Sequence, residues 1–183
     1  VGGSSTNDGG LGMAAGLGYH FFDEAGQELA AIGDNLGNIV RFFRDSNSPD
    51  LSQVTLTIIT DVTNPLCGPK GATYIFAGQK GLPKTDFAHV DKAMEQFYRQ
   101  SFPELLDLAG AGAGGGMAAG LVAFAGGKII SGIDAVLDVL DFDRRVQAAD
   151  LVIVGEGRMD QQSLSGKAPV GVARRTPKGT LVI

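Results

Sequence analysis

The sequence predicts an α/β fold with a largely parallel sheet, on three observations. Segments of strand character alternate with segments of helical period along the whole chain. Residues 151–154, LVIV, are a continuous apolar run of the kind that forms a parallel strand buried on both faces. Residues 86–102 carry Phe87, Val90, Met94 and Phe97 at helical spacing, with Pro103 just past the end. The sheet near residue 150 is expected to belong to a different domain from the glycine-rich middle.

The other elements follow in chain order. Residues 9–18 can form a short helix, and Ser5 and Asp8 have the spacing of a capping box before it. Tyr19 to Phe22 reads as a strand closed by the turn Asp23-Glu24-Ala25-Gly26. Ile39, Val40, Phe42 and Phe43 suggest a short amphipathic segment that Asn47, Ser48 and Pro49 break. Residues 54–60, VTLTIIT, are β-branched and partly alternating, hence a half-buried strand. The Ala-rich centre of GAGAGGGMAAGLVAFAGG, which starts at Gly110, should become a buried helix. Ser131 and Asp134 repeat the capping-box spacing ahead of a helix through Leu140. Gly166 to Arg175 reads as a helix and 180–183 as a last strand.

Composition excludes several classes of function. The 183 residues carry a net charge of −5 and no block of Lys or Arg, so the footprint of a nucleic-acid binder is missing. One cysteine, Cys67, rules out an internal disulfide and a Cys-based zinc cluster, and His20 and His89 are isolated. All three are expected to be structural. No apolar run reaches about 18 residues, and no signal peptide is present, so a cytoplasmic location without a membrane partner is expected. The chain opens inside a glycine loop and closes on Leu181-Val182-Ile183, which reads as an interior portion of a larger protein. The 28 glycines cluster at 2–18, 68–81, 110–127 and 155–179, where the backbone must approach something closely.

Ligands of open α/β sheets sit beyond the carboxyl ends of strands. Two strands here run into polar loops. The first leads into Asp61 and Asn64, suited to orient a hydroxyl or hold magnesium through water; a plain Asx turn before Pro65 explains them as well, and better on local grounds. The second leads into GEGRMD, where Glu156 and Asp160 could take a proton or a metal and Arg158 could fork onto a carboxylate or phosphate. Three charges after a buried strand are costly decoration, which favours function over a fixed turn. Ser163 and Lys167 stand next to a helix start, a plausible anion site, although Gln161 and Ala168 exclude a Walker A loop. VGGSSTNDGG, residues 1–10, gathers amides and hydroxyls that can cradle phosphate, with Asn7 and Asp8 as magnesium or hydroxyl partners; a capped helix explains the same residues. Gly110, Gly112 and Gly115 match G-x-G-x-x-G, but PELLDLA before them is not strand-like, so helix packing accounts for them equally. Lys80, in GQKG, reads locally as a turn cation.

Taken together, GGSSTNDGG (2–10), DVTNPLCGPKGA (61–72), QKG (79–81), GAGAGGG (110–116) and GEGRMDQQSLSGKAPVGVA (155–173) closely resemble the glycerate kinase family, in order and spacing and over nearly the whole chain. The resemblance implies ATP-dependent phosphorylation of D-glycerate, with Mg2+, and favours the 2-hydroxyl as acceptor. It implies two α/β domains: an inserted glycerate-kinase domain, most of it residues 1–148, and part of a split flavodoxin-like parallel-sheet domain at 149–183. It also implies that portions before and after this chain complete the enzyme. Asn7, Asp8, Asp61, Asn64, Lys80, Glu156, Arg158, Asp160, Ser163 and Lys167 stand at matching motif positions. Ala77-Gly78 departs from the family's usual Gly-Pro before Gln-Lys-Gly, and Arg174 to Gly179 is shorter than usual.

On that resemblance Asp160 or Asp61 orients or deprotonates a glycerate hydroxyl, and Arg158 binds the carboxylate or the moving phosphoryl group. Asn7 and Asp8 hold phosphate or metal, with Asp8 and Asp61 as the magnesium carboxylates. The alternatives are a Rossmann-type dinucleotide-binding domain and a non-catalytic small-ligand sensor. The first needs a third glycine where Asp160 stands.

Overall fold

The structure is a computed structural model that describes residues 1–155 and 168–183. Helices and small sheets alternate, and the chain divides into two compact units, Val1–Ile129 and Ile130–Ile183. The fold is α/β. The helices after residue 130 belong to the second unit.

In the first unit a short helix α1 (Leu11–Gly16) leads into β1 (Tyr19–Phe22), which pairs antiparallel with β2 (Glu28–Leu29) and β3 (Arg41–Arg44). The turn between β1 and β2 closes where Gly26 takes φ 80° and its amide donates to the Asp23 carbonyl at 3.0 Å. The sheet order β2-β1-β3 makes the largest sheet of the described residues antiparallel, unlike the parallel pairing expected along most of the chain. The link of residues 23–27 between β1 and β2 suits an antiparallel pair and is too short for a parallel crossover. The segment around Val40 to Phe43 is thus a strand, with Phe42 turned to the core and Phe43 half exposed.

The core of this unit is aromatic. Phe21, Phe42, Phe97 and Phe124 meet pairwise with ring centroids 5.7–6.5 Å apart, many edge to face. Phe97 comes from α2 (Phe87–Ser101) and Phe124 from α3 (Met117–Ala125), so both helices are locked onto one face of the sheet. The long helix appears where its period placed it, and Phe87, Met94 and Phe97 are buried with Tyr98. Strand β4 (Thr57–Ile59) is shorter than the 54–60 predicted, since its one partner among the described residues is the three-residue β5 (Lys128–Ile130) and Val54 lies exposed.

In the second unit Ser131 caps α4 (Gly132–Val139), its hydroxyl accepting the Asp134 amide at 3.2 Å as the capping-box spacing required. A short α5 (Phe142–Val146) follows, then β6 (Leu151–Val152), α6 (Ala168–Arg175) and β7 (Leu181–Val182), with β6 and β7 parallel. Gly171 lets α6 close on α4: a Cβ there would sit 2.6 Å from Ile133. Arg175 then binds Asp143 through both carboxylate oxygens at 2.8 Å and Asp138 at 2.5 Å. The strand expected at 151–154 is confined to two residues. It is not buried on both faces, because β7 is its single neighbour among the described residues; Leu151 and Ile153 are exposed.

Candidate active site

The first unit holds a cleft of about 540 Å³, within the range of small-molecule sites. Its walls are the loop at residues 5–8, the stretch Ile32–Asp34, the turn around Lys80 and Val90 of α2. Three of the sequence-predicted site residues, Asn7, Asp8 and Lys80, line it together.

The glycine-rich loop ends in a helix, but the cap differs from the Ser5–Asp8 box expected. The N-cap position is Gly10, and the Asp8 carboxylate binds the amides around it: Oδ1 accepts the Gly10 amide at 2.9 Å and Oδ2 the Gly12 amide at 3.0 Å. Ser5 is exposed and supplies no side-chain cap to this helix. Helix α1 therefore starts at Leu11, after Gly9 and Gly10 at φ 62° and 83°. The carboxylate uses the very amides that would otherwise face an anion, which makes this end of the loop a poor phosphate cradle.

The loop is pressed against the second glycine cluster. A Cβ on Gly115 would lie 2.1 Å from the Thr6 carbonyl, and one on Gly120 2.8 Å from the Gly10 Cα. Gly110 abuts Thr60 and Gly112 the Pro65 carbonyl, so all three glycines of the G-x-G-x-x-G match lie at packing seams. The residues before them form a 3-10 turn at Pro103–Leu105, and a dinucleotide fingerprint lacks its strand. From α2, the buried Tyr98 hydroxyl donates to the Gly9 carbonyl at 2.5 Å; burial pushes its pKa well up, so it stays a donor.

Lys80 ends a 3-10 turn closed by Gly81 at φ 98°. It is more than a turn cation: Nζ crosses to donate to Ser4 Oγ at 3.0 Å and to the Thr6 carbonyl at 2.6 Å. Partial burial lowers its pKa below 10.5, opposed by the negative charge of Asp8. Ala77-Gly78, in place of the family's usual pair, continues a helical backbone from the π-helical turn Thr73–Ala77 straight into this turn.

Asn7 is fixed from the same π-helical turn. Its Nδ2 donates to Thr73 Oγ1 at 3.1 Å, while its Oδ1 is buried with no hydrogen-bond partner. Thr73 is fully buried and nothing in its sequence context marks it; the pairing spans 66 residues. Asp34 is a second carboxylate lining the cleft that sequence reading missed.

Asp61 and Asn64 are placed elsewhere. Neither lines the cleft. Asn64 uses Nδ2 on the Lys70 carbonyl at 2.7 Å and its own carbonyl on the Gly112 amide at 3.1 Å, closing the 64–70 loop. Asp61 is exposed at the end of β4. The same loop is held by the buried Asp91, whose carboxylate accepts the Gly68 amide at 2.9 Å and 3.2 Å. Burial raises the pKa of Cys67 nearby, keeping it an unreactive thiol. His20 meets Glu28 at 2.6 Å across the sheet, and His89 is exposed on α2. Glu156, Arg158, Asp160, Ser163 and Lys167 lie outside the described residues.

No group of three or more His, Cys, Asp or Glu side chains fit to hold a metal occurs among the described residues. Magnesium needs less, because it keeps several waters and takes one or two carboxylates plus substrate phosphates. Asp8, with lone pairs beyond those used by two amides, fits that manner of binding.

Fold and cleft together define an α/β protein with a small-molecule-sized pocket whose mainly apolar walls carry Asn7, Asp8, Asp34 and Lys80. Comparison with known proteins is more specific. The model of the glycerate kinase family matches residues 1–183, and the chain belongs to that family. It is 54% identical over 183 residues to a glycerate kinase of Neisseria meningitidis serogroup B, covering 100% of this chain and 49% of that protein. It is 38% identical over 182 residues to glycerate 2-kinase of Escherichia coli K12, covering 97% of this chain and 48% of that one. A crystal structure described as a candidate glycerate kinase 2 from Salmonella typhimurium LT2 superposes with a TM-score of 0.78 at 40% identity, over 100% of this chain and 50% of that chain. The chain spans about half the length of the curated relatives it matches. Among the described residues no helix is long and apolar enough to cross a membrane.

Proposed function

We propose that this chain supplies the acceptor-binding cleft of an ATP-dependent kinase that phosphorylates D-glycerate, with 2-phosphoglycerate as product. The observation that carries this reading is the meeting of Lys80, Asn7 and Asp8 at one cleft in a chain of the glycerate kinase family. Glycerate offers a carboxylate and two hydroxyls. The cleft offers a cation whose ammonium has three donors, two of them committed to Ser4 and Thr6, and an amide carbonyl with no donor of its own.

Phosphoryl transfer asks the protein mainly for position and charge. Lys80 would draw the glycerate carboxylate and Asn7 would accept from a hydroxyl, leaving the other hydroxyl free for transfer. Arg158 would neutralise the carboxylate or the moving phosphoryl group, and Glu156, Ser163 and Lys167 would bind substrate or phosphate. Asp160 or Asp61 would orient the attacking hydroxyl and take its proton; the exposed position of Asp61 away from the cleft favours Asp160. Magnesium, held by Asp8 with Asp61 as a further candidate, would screen the charge on the nucleotide phosphates. On this reading residues 1–148 are most of the inserted domain, 149–183 are part of the split flavodoxin-like domain, and the enzyme works in the cytoplasm.

The test is direct. The full-length protein incubated with ATP–magnesium and D-glycerate should release ADP, and phosphorus NMR should show a phosphomonoester on the 2-oxygen. A 3-phosphate product would correct the regiochemistry. No glycerate-dependent ADP release would overturn the kinase reading.

A further inference from the structure

We propose that Thr73 is a positioning residue for acceptor recognition: its hydroxyl holds the amide of Asn7 at the cleft, where that amide meets a hydroxyl of the hydroxy-acid substrate. The inference rests on the kinase reading above and deepens it. A threonine hydroxyl can accept from the NH2 or donate to the carbonyl, so it anchors an asparagine amide by one end and leaves the other for a ligand. Here Nδ2 is taken by Thr73 Oγ1 at 3.1 Å, so the remaining end is an acceptor.

That acceptor is unpaired and buried, a condition native proteins avoid unless something supplies the missing donor. A phosphate or carboxylate has no proton to give at neutral pH, whereas a hydroxyl does. Asn7 lines the cleft in which such a hydroxyl would sit. The ammonium of Lys80 sits on the carbonyl of Thr6, one residue before, so a cation and a hydroxyl acceptor adjoin, as a hydroxy acid requires. Thr73 itself is fully buried on the π-helical turn; it acts only through Asn7. Single π-turns inside helices recur at functional sites, and this one brings the hydroxyl to the loop.

The experiment compares wild type, Thr73→Val and Thr73→Ser in the full-length protein. Val keeps the shape and removes the hydroxyl, which frees the amide to turn. KM for D-glycerate should rise roughly tenfold, the effect of one lost hydrogen bond. KM for ATP should hold, and Ser should restore the wild-type value. Thr73→Ala serves the same purpose if Val does not fold. Unchanged glycerate KM in the folded Val or Ala enzyme would overturn the inference, as would equal losses in Ser and Val, or equal rises in both KM values. Absence of turnover in wild type would instead strike the kinase reading, and this inference with it.

Discussion

Lys80 is the residue whose surroundings say most about its chemistry. It spans from a turn to the Ser4–Thr6 segment, and burial lowers its pKa below the ordinary 10.5. Two opposite pH effects follow. Between its lowered pKa and 10.5 the unfolded chain holds the proton more tightly, so this group's contribution to stability rises with pH across that window. Its charge is lost over the same window, so KM for glycerate should climb at a lower pH than an ordinary lysine would give. A Lys80→Arg enzyme, charged throughout, should lack that alkaline limb; a pH profile of kcat/KM for both proteins measures it. Asp8 makes a simpler prediction. Both its oxygens bind amides at the start of α1, so Asp8→Ala should cost about 1 kcal/mol in denaturant unfolding, whatever it does to turnover.

At the scale of elements, close approach between the two glycine clusters sets the shape of the cleft. Gly115 sits at φ 74° with the Thr6 carbonyl where its Cβ would be, so Gly115→Ala should destabilise by about 2 kcal/mol or more and displace the loop carrying Asn7. Gly16→Ala, late in α1 with open space around it, should be neutral or slightly stabilising. Denaturation midpoints of the pair test whether packing, not glycine content, is at work. In the second unit Asp143 has its carboxyl pKa held down by the hydrogen bond from Arg175. Its contribution is present above the unfolded value of 3.8 and lost as pH falls through the lower folded value. Arg175→Gln should flatten that acid limb of stability, read by thermal melts below pH 4. Much at this scale was legible: α2, the Ser131 cap, β1 with its turn and the last helix follow from local period and capping. The antiparallel order of the main sheet was not, since pairing is a long-range choice that strand character alone leaves open.

At the scale of the whole molecule, local sequence set out the loops of the site better than their assembly. Asn7 and Asp8 stood out because Asn and Asp beside glycines are chemically conspicuous. Lys80 read locally as a turn cation, because its partners lie 74 and 76 residues away, and Thr73 gave no sign at all. Asp61 and Asn64 read locally as a turn before Pro65, and Asn64 does spend its amide on its own loop. A chain half the length of its relatives is expected to lack part of the machinery, so the isolated 183 residues should show no glycerate-dependent ATP hydrolysis or transfer while the full-length protein does. Turnover by the isolated chain would place all essential groups within it.

The central claim is that D-glycerate seats between Asn7 and Lys80. Calorimetric titration of D-glycerate into the full-length protein and its Lys80→Met and Asn7→Ala variants, with folding checked by circular dichroism, tests it most directly. The account predicts that each folded variant weakens Kd roughly tenfold or more, the loss of one hydrogen bond or ion pair, while Asn64→Ala keeps the wild-type value. Wild-type Kd in folded Lys80→Met and Asn7→Ala would contradict it.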